Sequence, residues 1–134
     1  MKELKWDTHV KRARKETLPG RAVYLLSGCR KRAKSKKLDC LLTKEWFEEK
    51  LKNGKCELSG IKFDLNTSRT SRSNPFAPSP DRIDITKGYT PENTRLVLNL
   101  INAALSDWGE VPFFKVIEAF NTQTQHTGDL HESI

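Results

Sequence analysis

No apolar run in this sequence approaches the roughly 18 residues that a membrane-spanning helix needs. The opening stretch, MKELKWDTHVKRARKE, holds no apolar leader core, so neither a membrane partner nor an export signal is expected. Cysteine is scarce, at 3 residues with no CxxC pair. An odd, unpaired set argues against a disulfide scaffold and fits a reducing cytoplasm. Cys29, Cys40 and Cys56 also lack the paired spacing and clear fourth ligand of structural zinc. They read as small buried hydrophobes. Histidine is equally scarce, and His9, His126 and His131 lie far along the sequence from the residues that carry chemistry below.

Positive charge is plentiful. The chain carries 24 Lys and Arg against 17 Asp and Glu, a net +7 over 134 residues. It is unevenly placed. Residues 1–37 hold 13 basic and 3 acidic residues, a net +10, and the remainder holds 11 basic and 14 acidic, a net −3. A basic third on a mildly acidic body suggests a segment that grips a polyanion, although a basic surface also serves solubility. With 36% hydrophobic residues the chain can bury one modest core, as its length allows.

The pattern predicts a basic arm over residues 1–20 and one domain over 21–121, followed by a flexible polar tail over 122–134. Within the domain, Ala22, Leu25, Leu26, Cys29 and Ala33 recur at helical spacing and predict a helix over 21–37. Its second half is crowded with Arg30, Lys31, Arg32, Lys34, Lys36 and Lys37. A second helix is predicted over 44–53, with Thr43 as N-cap, a Leu42–Phe47 hydrophobic staple and Gly54 as its stop. Ser59-Gly60 reads as the turn of a hairpin. Residues 64–80 read as a long loop carrying Arg69 and Arg72, both placed to reach a phosphate. Short strands follow at 81–84 and 95–98, then a helix through Leu105 and a last helix over 110–121. The fold class expected is α+β.

Residues 81–105 are the informative window. A strand carrying Asp81, a turn-rich connection, a second strand opened by Asn93 and a helix carrying Asn102 make a β-β-α unit. Carboxylate and amide oxygens suit a hard cation such as Mg²⁺. Beside a phosphodiester such an ion acts as a Lewis acid on the leaving oxygen.

Pro78-Ser79-Pro80-Asp81-Arg82-Ile83-Asp84, Lys87-Gly88-Tyr89-Thr90, Glu92-Asn93 and Ile101-Asn102 together resemble the motif of HNH endonucleases, the ββα-metal or His-Me finger superfamily, and most of all its small bacteriophage members. Cys56-Glu57-Leu58-Ser59-Gly60-Ile61-Lys62-Phe63 resembles the segment that precedes that motif. The resemblance implies that Asp81 and Asn102 are metal ligands, for Mg²⁺ or Mn²⁺. It implies that Asn93 braces the loop and that Gly88 is a turn glycine. Two positions depart from the family pattern. Arg82 stands where the general-base histidine belongs, and Leu105 where a lysine is common. Arginine stays protonated and cannot activate water, but it can clamp a phosphate. Asp84, two positions on, or a metal-bound water is left as the base.

The expected function is divalent-metal-dependent hydrolysis of DNA phosphodiester bonds. Arg82, Asp84 and Asn93 would serve the reaction, while Arg30, Arg32, Lys34, Lys37, Arg69, Arg72 and Lys87 would hold the nucleic acid. DNA is the expected partner. A homodimer is open, since one small site cuts two strands most simply as two copies. The location implied is cytoplasmic, in the host cell if the chain is phage-encoded. The alternative is an HNH-derived module that binds DNA or a protein without cutting, and Arg82 is the feature that favours it.

Overall fold

The computed structural model describes residues 5–67 and 74–126. Arg69 and Arg72 lie outside the described residues, as does the end of the tail. The chain forms two compact units, Met1–Asn102 and Ala103–Ile134. Among the described residues there are five helices and one two-stranded antiparallel sheet, an α+β arrangement.

In the first unit, α1 spans Lys5–Lys15 and α2 spans Leu18–Lys36. The segment expected as an arm is therefore helical. Charge at most positions hides the spacing of Trp6, Val10 and Ala13, which is helical all the same. α2 begins earlier than its apolar stripe suggested, because Thr17 caps it. Its hydroxyl accepts from the backbone N–H of Gly20 at 3.2 Å, and Pro19 sits in the first turn, where a missing N–H costs nothing. Gly20 is required for a different reason. A Cβ there would stand 1.8 Å from the carbonyl oxygen of Arg14, so only glycine lets α1 fold back this closely on α2. Lys37 closes α2 in the left-handed region, at φ 56°, with its N–H on the carbonyls of Ala33 and Lys34.

Helix α3, Lys44–Asn53, is bounded as its cap residues predict. The Thr43 hydroxyl accepts from Trp46 N at 3.1 Å, and Gly54 ends it at φ 77°. Leu42 and Phe47 are both buried in the core of this unit, with Leu25, Leu26, Cys29, Leu51 and the β2 residues Leu96, Val97 and Leu98. The Ser59-Gly60 segment is a tight turn closed by a single antiparallel bridge, Lys55 to Lys62, and not by a ladder. It docks on the sheet through Glu57, whose N–H donates to Leu96 O and whose carboxylate accepts from Leu96 N.

The sheet pairs β1, Pro78–Arg82, with β2, Thr94–Leu98, in a register that sets Asp81 opposite Arg95. β1 starts earlier than the predicted strand and stops at Arg82. It carries two prolines, which a two-stranded edge tolerates because each strand needs donors on one side only. α4, Asn99–Leu105, follows β2 without a loop. The second unit contains α5, Glu110–His126, which runs past the predicted end at 121. Among the described residues no helix is long and apolar enough to cross a membrane.

Candidate functional site

The site grows from the β1–β2 hairpin. Asp81 is buried, and its Oδ2 accepts a hydrogen bond from Arg95 Nε at 2.8 Å, a pair with 8% and 13% of the side chains exposed. The candidate metal ligand is thus already held by a guanidinium from the facing strand, which the sequence motif did not signal. Its signal was the register itself, since residues directly opposite on one face interact. Asn102 lies half-buried on α4, which directly continues β2. Its Nδ2 donates to Ser79 Oγ at 2.7 Å and to the Pro80 carbonyl at 3.2 Å. These bonds fix which way the amide faces and leave Oδ1 as its available oxygen.

The connection between the strands is organised by Asn93. Its Oδ1 accepts from Asp84 N at 2.9 Å, and its Nδ2 donates to Asp84 O at 3.0 Å and Gly88 O at 2.9 Å. All three polar positions of a buried amide are satisfied by backbone, as burial demands. Gly88 does not need a left-handed φ. A Cβ there would lie 2.2 Å from Asp39 O, so the glycine serves a close approach. That approach lets Tyr89 N donate to Asp39 O and Leu41 N donate to Tyr89 O, at 2.9 and 2.8 Å.

A strand over 81–84, as predicted, would set Arg82 and Asp84, two positions apart, on one face. The strand ends at Arg82, so the alternation does not reach Asp84. Arg82 Nη1 donates to the carbonyls of Ile85 and Lys87 at 2.7 and 3.0 Å, and its guanidinium lies 5.3 Å from the Tyr89 ring centre. Its Nε and other terminal nitrogen have no partner among the described residues. Asp84 Oδ1 accepts from the Thr86 hydroxyl at 2.6 Å and the Thr86 N–H at 2.9 Å. Those bonds hold its carboxyl below the usual carboxylate range, the hydroxyl contributing most. A carboxylate so stabilised is a poorer base than a free one. Lys87 is exposed, with its Nζ 4.0 Å from Asp84 Oδ2.

Tyr89 lies within the motif, and sequence reasoning assigned it no role because an ordinary phenol is protonated at neutral pH. It is buried, and its ring is within cation–π range of two guanidinium groups, Arg82 from β1 and Arg32 from α2, the second at 5.7 Å. Arg32 Nε also donates to the Tyr89 hydroxyl at 3.0 Å. Of the α2 cations expected to bind nucleic acid, Arg32 alone is joined to the hairpin in this way. Arg30, Lys34 and Lys37 recur at i, i+4 and i+7 on another, exposed face of the helix. Cys29 and Cys56 are buried and Cys40 is half-buried, all as free thiols. Burial pushes the Cys29 thiol up to about 11. No group of three His, Cys, Asp or Glu side chains suited to a metal occurs among the described residues.

No protein-family model matches the chain. No curated protein matches it either. A solved structure does. The rare-cutting HNH restriction endonuclease PacI superposes with a TM-score of 0.56 at 19% sequence identity, over 80% of this chain and 81% of that one. At that identity the likeness speaks for backbone architecture. Together with the hairpin, the Asn93-braced connection and the helix that carries Asn102, it gives the chain an HNH-type fold.

Proposed function

We propose that this chain is a divalent-metal-dependent DNA endonuclease of the HNH type, hydrolysing phosphodiester bonds. The observation that carries this is the fixed orientation of Asn102. Its nitrogen is committed to Ser79 and Pro80, on the strand that also bears Asp81, and its oxygen is left to face a ligand. Holding a ligand side chain by its other polar atom is how proteins orient metal donors.

The donor set fits a hard cation. Asp81 and Asn102 offer oxygen atoms only, the preference of Mg²⁺ and Mn²⁺, and such ions take few protein ligands. A carboxylate has about four lone-pair sites, so Asp81 can keep its bond to Arg95 and still offer oxygen to an ion. Asp81 and Asn102 would hold the ion, which when bound supplies Lewis-acid stabilisation of the leaving oxygen. The other roles belong to the chain itself. Arg82 directs its remaining N–H groups at the scissile phosphate, with its position set by Ile85, Lys87 and Tyr89. Asn93 and the Thr86-bound Asp84 keep the connection rigid, so Asp84 acts as a brace. Arg30, Lys34, Lys37 and Lys87 contribute sequence-independent attraction to the DNA backbone.

A second reading is favoured by one specific observation. The Asp81–Arg95 pair places a cation beside the metal ligand, and a guanidinium stands in place of the general base. A chain so built could bind DNA without cutting it. Incubating plasmid with Mg²⁺ or Mn²⁺ separates the two. Cleavage that Asn102→Ala and Asp81→Asn abolish, with circular dichroism unchanged, selects the nuclease. A salt-sensitive gel shift with no cleavage selects the binding module.

A further inference from the structure

The first unit contains a cleft of about 420 Å³ walled by α1, α2 and the lead into β1. Its volume is in the range of sites that take small ligands or one segment of a larger one, roughly 300–1,000 Å³. Five cations line it: Arg12, Lys15, Arg21, Lys31 and Arg32. Among the described residues that line it there is no Asp or Glu. Glu16 and Asp64 lie near enough to favour the charge on Arg21, but neither lines the cleft. Arg21 is buried, yet its guanidinium donates to the carbonyls of Lys15 and Leu65, not to a carboxylate. Lys15 sits 4.1 Å from the Tyr24 ring centre, and Arg32 spends its bonds on Tyr89 and Cys29. Arg12 and Lys31 make no ion pair among the described residues. Five like charges gathered in one concavity, with no acid among its described lining residues, repel one another in the free protein. Low-dielectric walls focus that potential outward.

The cleft also meets the candidate site. Ser79 and Pro80 line it, and these are the two residues that anchor Asn102. Asp81 is the next residue along β1, two positions or roughly 7 Å from Ser79. An anion seated in the cleft is therefore next to the strand that carries the chemistry.

We propose that this cleft binds a phosphodiester segment of the DNA strand away from the reacting bond, as an anchoring subsite. Arg12 and Lys31 contact the phosphate, and Arg21 supplies fixed positive potential from the floor. This rests on the nuclease or DNA-binding reading above and adds the place where the backbone is gripped. It moves the main grip from the exposed Arg30, Lys34 and Lys37 face to the side of α2 that meets α1 and β1.

The test is titration of the full chain with a fluorescent duplex oligonucleotide across a range of salt concentrations. The R12Q/K31Q double variant is compared with K52Q/K55Q, which removes the same charge from an exposed surface outside the cleft. Each lost phosphate contact flattens the plot of log affinity against log salt by about 0.9. R12Q/K31Q should flatten it by about 1.8 and weaken binding at low salt at least about tenfold, while K52Q/K55Q leaves the slope unchanged. Equal effects from the two variants would mean that net charge alone matters, and would overturn the subsite. If the wild type binds and R12Q/K31Q keeps its slope, the subsite is wrong while DNA binding stands. If the wild type binds no duplex at all, the underlying functional reading and the subsite fail together.

Discussion

Replacing Asn93 with alanine tests the central structural claim about the site, because the consequence can be worked out bond by bond. The side chain makes three hydrogen bonds of 2.9–3.0 Å to backbone groups of Asp84 and Gly88. A net contribution of about 0.5–1.5 kcal/mol each gives roughly 1.5–4.5 kcal/mol. The 83–92 connection is partly exposed, so water can satisfy some of the orphaned groups, and about 2–3 kcal/mol is expected. For a chain of this size that lowers Tm by about 3–4 °C per kcal/mol, or roughly 6–12 °C. Urea denaturation followed by tryptophan fluorescence should report the same loss as a lower midpoint with an unchanged slope. Asn93→Asp is the sharper variant. It keeps the size but turns an anionic oxygen toward the carbonyls of Asp84 and Gly88, so it should cost at least as much as alanine. Losses under about 0.5 kcal/mol in both variants would refute the idea that this amide holds the connection together.

Gly88→Ala should destabilise by about 1–3 kcal/mol, the scale of overpacking, because its Cβ would meet the Asp39 backbone; amide exchange at Tyr89 and Leu41 should quicken with it. Arg95→Gln removes the cation that competes for Asp81 while keeping a donor, so Mn²⁺ binding followed by electron paramagnetic resonance should tighten at least about tenfold, roughly 1.4 kcal/mol. Unchanged or weaker binding would place the ion elsewhere. The raised Cys29 thiol gives a pH effect whose sign is fixed. The folded state holds that proton more tightly than the unfolded chain, whose thiol titrates near 9, so stability is full below pH 9 and declines as pH rises toward 11. Cys29→Ser should remove that part of the decline, and alkylation at pH 8 should reach Cys29 slowly.

Much of this protein is local, and local rules read it well. Thr43 and Gly54 bound α3 because a cap is a property of a few consecutive residues, and the apolar stripe from Ala22 to Ala33 lies on α2 for the same reason. The acidic first strand, the Asn93 brace and the Asn102 helix were legible as a spaced motif, and the described structure sets them in a β-β-α unit in that order. What the sequence could not specify depends on which distant segments meet. α1 was hidden because charge masks a helical period. The reason for Gly88 became visible only when the Asp39 backbone arrived against it. Register alone turned Arg95 onto Asp81, and packing alone set Tyr89 between an arginine of β1 and one of α2. The +10 segment was evident by counting, but its division into an exposed face and a cation-lined cleft required folding, because a helix sends neighbouring residues to different sides and only tertiary contacts decide which side is walled.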